Sequence, residues 1–114
     1  MVALRLDVTD DASLASPIDA ALGRVSRIDV LVNNAGIGYF STIEESDKTD
    51  VRIVMEANFW GTTRITTTLL PHLRERRAGH ILTVSSIAGA RTKVERLTIE
   101  INAWESLTRS VDRP

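Results

Sequence analysis

Three short runs of apolar, largely β-branched residues are spaced along the chain: Val2-Ala-Leu-Arg-Leu-Asp-Val8, Asp29-Val-Leu-Val-Asn33 and His80-Ile-Leu-Thr-Val-Ser85. Each is followed by a turn-like stretch, and each reads as a strand. Between the first two, Ser16-Pro17-Ile18-Asp19 offers an N-cap, a proline at the first helical position and a carboxylate at N3. Ile18, Ala21, Leu22 and Val25 then recur at helical spacing. Between the second and third runs, Ser46-Asp47 opens a longer helix in which Val51, Val54, Met55, Asn58, Phe59, Thr62, Ile65 and Leu69 keep one face. Pro71 is expected to kink its last turns and Gly79 to end it. Strands alternating with helices predict an α/β fold with a parallel sheet of about three strands and right-handed crossovers, the doubly wound arrangement. Beyond Ser86 the pattern weakens, although Trp104, Leu107 and Val111 could share one helical face. No repeat, low-complexity tract or linker divides the sequence, so residues 1–114 read as a single domain.

Composition narrows the function classes. The absence of cysteine excludes a disulfide framework, a thiolate zinc site and a cysteine nucleophile. With 14 Lys+Arg against 15 Asp+Glu the net charge is −1, and the only basic cluster is Arg74-Glu75-Arg76-Arg77. That is a solvated helix end rather than the basic footprint of a nucleic-acid partner. Apolar stretches fall far short of the ~20 residues of a membrane span, and the first residues lack the pattern of a signal peptide. The expectation is a cytoplasmic protein with no nucleic-acid or membrane partner.

Several polar residues stand where chemistry is possible. Asn33-Asn34-Ala35-Gly36 places amides and a flexible backbone directly after a strand, at the carboxyl edge where open α/β sheets bind ligands; the plainer alternative is a tight turn. Asp7, at the end of the first run, can accept a hydrogen bond from an adenine amino group or simply cap the next helix. Asn58 sits in the apolar register of the long helix, so it either braces the sheet through backbone contacts or organises water in a site. Ser85 and Ser86 end the third run, where a hydroxyl can meet a substrate oxygen or merely terminate the strand.

The order of these pieces closely resembles the short-chain dehydrogenase/reductase family. The resemblance rests on Leu-Asp-Val-Thr-Asp at 6–10, Arg-Ile-Asp-Val-Leu-Val-Asn-Asn-Ala-Gly at 27–36 and Glu-Ala-Asn-Phe-Trp-Gly at 56–61. It continues in Leu-Leu-Pro at 69–71 and Gly-His-Ile-Leu-Thr-Val-Ser-Ser-Ile-Ala-Gly at 79–89. It implies a partial Rossmann-like sheet, a family-like core over 1–90 and a divergent segment over 91–114. It also implies an NAD or NADP cofactor: Asp7 and Val8 would hold the adenine, and Asn34, Ala35 and Gly36 would line the cofactor cleft. Asn58 would order a water in a proton relay and Ser86 would bind the substrate oxygen. The family pattern further includes a Gly-rich phosphate turn ahead of the first run and a Tyr and Lys four residues apart after Ser86. Here Leu97 and Ile101 fall where the Tyr and Lys belong, and the single tyrosine is Tyr39. The expectation is therefore a truncated, degenerate member without normal NAD(P)-dependent turnover.

Two other functions remain open from the sequence. One is a serine hydrolase using Ser86, which needs a histidine base. His80 lies five residues before Ser85, roughly 17–20 Å from Ser86 along an extended strand, so the base would come from another subunit. The other is a non-catalytic oligomerisation module. Unpaired sheet edges and the apolar face of the helix over 47–77, around Phe59 and Trp60, favour a homo-oligomer.

Overall fold

The computed structural model describes residues 2–86. In chain order these form α1 (Asp11–Val25), β1 (Val30–Asn33), α2 (Lys48–Met55), a π-helical segment (Glu56–Gly61), α3 (Thr62–Arg76) and β2 (His80–Thr83). The two strands pair in parallel, with Val30 opposite His80 and Asn33 opposite Thr83. The long helical crossover between them is the α/β connection that the strand–helix alternation predicts. The segment over 91–114 lies outside the described residues.

α1 begins earlier than expected. Asp10 caps it by accepting the Ala12 N–H at 3.0 Å, and Asp11 adds a carboxylate to the first turn. This start prevails over Ser16, so Pro17 stands in the helix interior and forfeits one intrahelical hydrogen bond. Asp47 caps α2 as the sequence implies, accepting the Thr49 N–H at 2.6 Å. The helical run continues through Pro71 to Arg76, and the reversal belongs to Arg77, in the left-handed conformation, before Gly79 with φ +150°.

The first apolar run is the main correction. Residues 2–8 form no strand: among the described residues no neighbour supplies their ladder, and without one an apolar run has no sheet to join. The described sheet accordingly has two strands, and 2–8 does not pair with β1. Val8 is held against the π segment instead, close enough that a Cβ on Gly61 would come within 2.7 Å of Val8 Cγ2. Arg64 ties this region together, pairing with Asp11 and Glu56 and donating to the Val8 carbonyl at 3.4 Å.

The core lies where α1, the crossover helices and one sheet face meet, and is built from Leu14, Val54, Ala57, Leu69 and the fully enclosed Leu73. Arg76 fixes α3 to the entry of β1, donating to the Ile28 carbonyl and to Asp29 Oδ1, both at 3.0 Å. Side chains alternate along each strand, so Leu31, Asn33, Ile81 and Thr83 face α3 while Val30, Val32 and Leu82 face away and are exposed.

Candidate functional site

Parallel strands bring their carboxyl ends to one edge, and the chain leaving β1 and β2 there encloses a cleft of about 290 Å³. Asn34, Ala35 and Gly36 form the wall that follows β1. Val84, Ser85 and Ser86 form the wall that follows β2, and Asn58 and Thr62 close the base. The structure thus gathers five of the predicted residues: Asn34, Ala35, Gly36, Asn58 and Ser86. No charged side chain lines the cleft, so it acts on a ligand through amides, hydroxyls and open main chain.

Asn58 is buried and clamps the Ile37 main chain from both sides. Its Oδ1 accepts the Ile37 N–H at 2.8 Å and its Nδ2 donates to the Ile37 carbonyl at 2.8 Å. The side chain is therefore a brace for the loop over 34–38, the first of the two roles open to a polar residue in this register. The approach is tight: a Cβ on Gly36 would lie 3.3 Å from Asn58 Oδ1, which explains a glycine there. The Asn58 carbonyl accepts the Thr62 hydroxyl at 2.9 Å.

Sequence reasoning missed the floor and the rim of the cleft. Asn33, 7% exposed, donates through Nδ2 to Thr66 Oγ1 at 3.1 Å and Thr83 Oγ1 at 3.3 Å. The one available signal was that Asn33, like Asn34, ends a strand, but which of the two turns inward is decided by the pleat. At the mouth, Ile37 is half exposed and Phe40 is 72% exposed. The Phe40 ring packs over Gly38, where a Cβ would come within 3.4 Å of its Cε2.

Asp7 and Val8 are not part of the cleft lining. Asp7 Oδ1 accepts the Thr9 hydroxyl at 2.7 Å and the Thr9 N–H at 2.9 Å, and these bonds hold its carboxyl below the usual aspartate range. Neither histidine reaches Ser86: His72 Nε2 accepts the Ile28 N–H at 3.3 Å and His80 stands at the opposite end of β2. The hydrolase alternative thus finds no base here. The Tyr39 phenol oxygen accepts the Asp47 N–H at 3.1 Å, beside the start of α2.

Comparison with known proteins agrees with this architecture. The short chain dehydrogenase family model matches residues 1–98. A 3-ketodihydrosphingosine reductase of Bacteroides thetaiotaomicron is 35% identical over 86 residues, covering 75% of this chain and 32% of that protein. Dehydrogenase/reductase SDR family member 7B of Mus musculus is 41% identical over 83 residues, covering 73% of this chain and 26% of that protein. Among solved structures, ElxO with NADP bound superposes with a TM-score of 0.74 at 33% identity, over 79% of this chain and 37% of that one. The chain spans about a third or less of the length of the curated relatives it matches. With the strand-edge cleft and the motifs around it, these matches place the chain in the short-chain dehydrogenase/reductase family.

Proposed function

We propose that the chain carries part of an NAD(P)-dependent oxidoreductase site, with the cleft at the ends of β1 and β2 receiving the nicotinamide end of the cofactor. The observation behind this reading is the convergence of Asn34, Ala35, Gly36, Asn58 and Ser86 on one uncharged cleft. The residues suit such a group. Gly36 and Gly38 keep the main chain accessible, and the amide and hydroxyl walls offer both donors and acceptors. When bound, the cofactor supplies the hydride.

In this reading Asn34, Ala35 and Gly36 bind the cofactor edge, and Asp7 and Val8 reach its adenine end. Asn58 orients the loop over 34–38 through Ile37, and Ser86 on the facing wall hydrogen-bonds the substrate oxygen. The 114 residues hold a single tyrosine, Tyr39, whose oxygen is engaged at α2, so the proton for that oxygen must come from elsewhere. The chain on its own accordingly binds nucleotide without turning substrate over. Ile37 and Phe40 give the mouth an apolar rim, which favours a lipophilic alcohol or ketone. The names of two relatives, a retinol dehydrogenase and a 3-ketodihydrosphingosine reductase, are consistent with that class.

Calorimetric titration with NADH and NADPH tests the reading. Saturable binding to the folded chain, lost in Gly36→Val, is expected; a folded chain that binds neither nucleotide overturns it. Cofactor-dependent turnover of any carbonyl or alcohol by this chain would overturn the absence of catalysis. Copies of the chain are proposed to associate through the sheet edge and the 47–77 face, where Ile53 and Trp60 are half exposed. A monodisperse monomer by light scattering removes that part. No described helix is long and apolar enough to cross a membrane, and a cytoplasmic location is retained as part of this proposal.

A further inference from the structure

The threonines of α3 behave alike with one exception. Thr62, Thr63, Thr67 and Thr68 each donate a hydroxyl to the carbonyl four residues earlier, at 2.8–2.9 Å. Thr66 turns its Oγ1 to Asn33 instead, accepting from Nδ2 at 3.1 Å, and Thr83 approaches the same nitrogen from β2 at 3.3 Å. Both hydroxyl oxygens act as acceptors in these bonds, which leaves each O–H hydrogen to be donated. Asn33 Oδ1, on the other side of the amide, is buried and has no hydrogen-bond partner among the described residues.

A buried amide oxygen without a donor is costly, and native structures rarely leave one so. Turning the amide over does not remove the difficulty. The oxygen would then accept from the two threonines, and the nitrogen would be the group left unmet. The trio therefore presents one unmet acceptor beside two hydroxyls able to donate, and Asn33 and Thr83 also line the cleft.

We infer that Asn33, Thr66 and Thr83 form a binding site for a single O–H group at the cleft floor, which donates to Asn33 Oδ1 and accepts from a threonine hydroxyl. Only a group that both donates and accepts completes the set. A carboxylate brings no proton for Oδ1, an ammonium accepts nothing, and an apolar group does neither. The O–H belongs to an ordered water or to the hydroxyl of a small ligand entering from the cleft. The inference does not depend on nucleotide binding, and its test does not use nucleotide.

The test is water–protein cross-relaxation at the Asn33 side-chain amide in labelled full chain, before and after addition of 2-propanol. A long-lived water contact at Asn33 that persists in the alcohol identifies ordered water as the occupant. Replacement of that contact by one to the 2-propanol methyl groups identifies a ligand hydroxyl, and either result supports the site. Thr66→Val should lose the contact and Thr66→Ser retain it, with the Val84 amide, bonded to the Asn33 carbonyl at 2.9 Å, unshifted in both. Asn33→Leu should also lose it; if that variant does not fold, the Thr66 pair decides. No water or alcohol contact in the wild type, or a contact indifferent to Thr66→Val, overturns the inference.

Discussion

Replacing Asn58 by alanine removes the two 2.8 Å hydrogen bonds that hold the Ile37 main chain. At about 1 kcal/mol net for each, their loss destabilises the fold by roughly 2 kcal/mol. Alanine is the better helix former and offsets about 0.5 kcal/mol of this. Ile37 is half exposed, so its released N–H and carbonyl reach water and add no burial penalty. The balance is a loss of about 1.5 kcal/mol, which in a domain of this size lowers Tm by about 6–12 °C. Two assays read the effect: a thermal melt, and hydrogen exchange at the Ile37 amide, which should lose protection while the strand amides keep theirs. Asn58→Asp sharpens the test. It preserves the size and the acceptor, but at neutral pH sets a carboxylate against the Ile37 carbonyl in place of a donor. That variant should be at least as destabilised as Asn58→Ala, and should recover part of the difference once acid protonates the new carboxyl. An unchanged Tm with unchanged Ile37 exchange in Asn58→Ala, or a neutral-pH aspartate variant as stable as wild type, would refute the clamp.

Other perturbations probe the frame around the cleft. Leu73 is completely enclosed, so Leu73→Ala should cost about 2–5 kcal/mol, read as a lower urea midpoint; a surface-sized effect would contradict its place in the core. Gly79→Ala combines a φ of +150° with a Cβ only 2.6 Å from Leu73 Cδ2, and should destabilise by about 1–3 kcal/mol. Because the obstructing atom belongs to Leu73, the double variant Gly79→Ala/Leu73→Ala should lose less than the sum of the two, and strict additivity would show that the contact is unimportant. Asp29 is held below the usual aspartate range chiefly by its hydrogen bond from Arg76, and Asp47 chiefly by the Thr49 N–H. Both bind protons more readily in the unfolded chain, so their stabilisation is complete above about pH 4 and fades as pH falls through the lower folded values. The melting temperature should drop on acidification through that window, less steeply in Asp29→Asn or Asp47→Asn; a level or rising profile contradicts the linkage.

What could be read from the residues depended on how local the deciding physics is. The runs ending at Asn33 and Ser85 contain β1 and β2 because their β-branched residues suit a half-buried sheet, and Asp47 signals the start of α2 through its own side chain. The run over 2–8 has the same local character, but a strand requires a neighbour, and that neighbour is not written in the run itself. α1 was misplaced because two capping signals compete: the proline after Ser16 looked like a first-turn residue, whereas Asp10 and Asp11 set the start one and a half turns earlier. At the cleft, Asn34, Ala35, Gly36, Asn58 and Ser86 were legible as a group through the spacing of their motifs. The inward turn of Asn33 toward Thr66 was not, because it depends on which face of the sheet meets α3. The brace formed by Asn58 was anticipated only as one of two roles, since its partner is a main-chain unit 21 residues away.

The π-helical segment deserves a last consequence in terms of sequence length. A π turn is equivalent to one extra residue accommodated within an α-helix, and each helical residue advances the screw by about 100°. Deleting a single residue between Glu56 and Gly61 would let the helix run regularly from α2 into α3 while rotating everything after it by that angle. Leu69 and Leu73 would leave the core, and Thr66 would turn away from Asn33. The least regular stretch of the helix is thus where a change in chain length is least tolerated, and it sets the rotational phase that places α3 beneath the sheet.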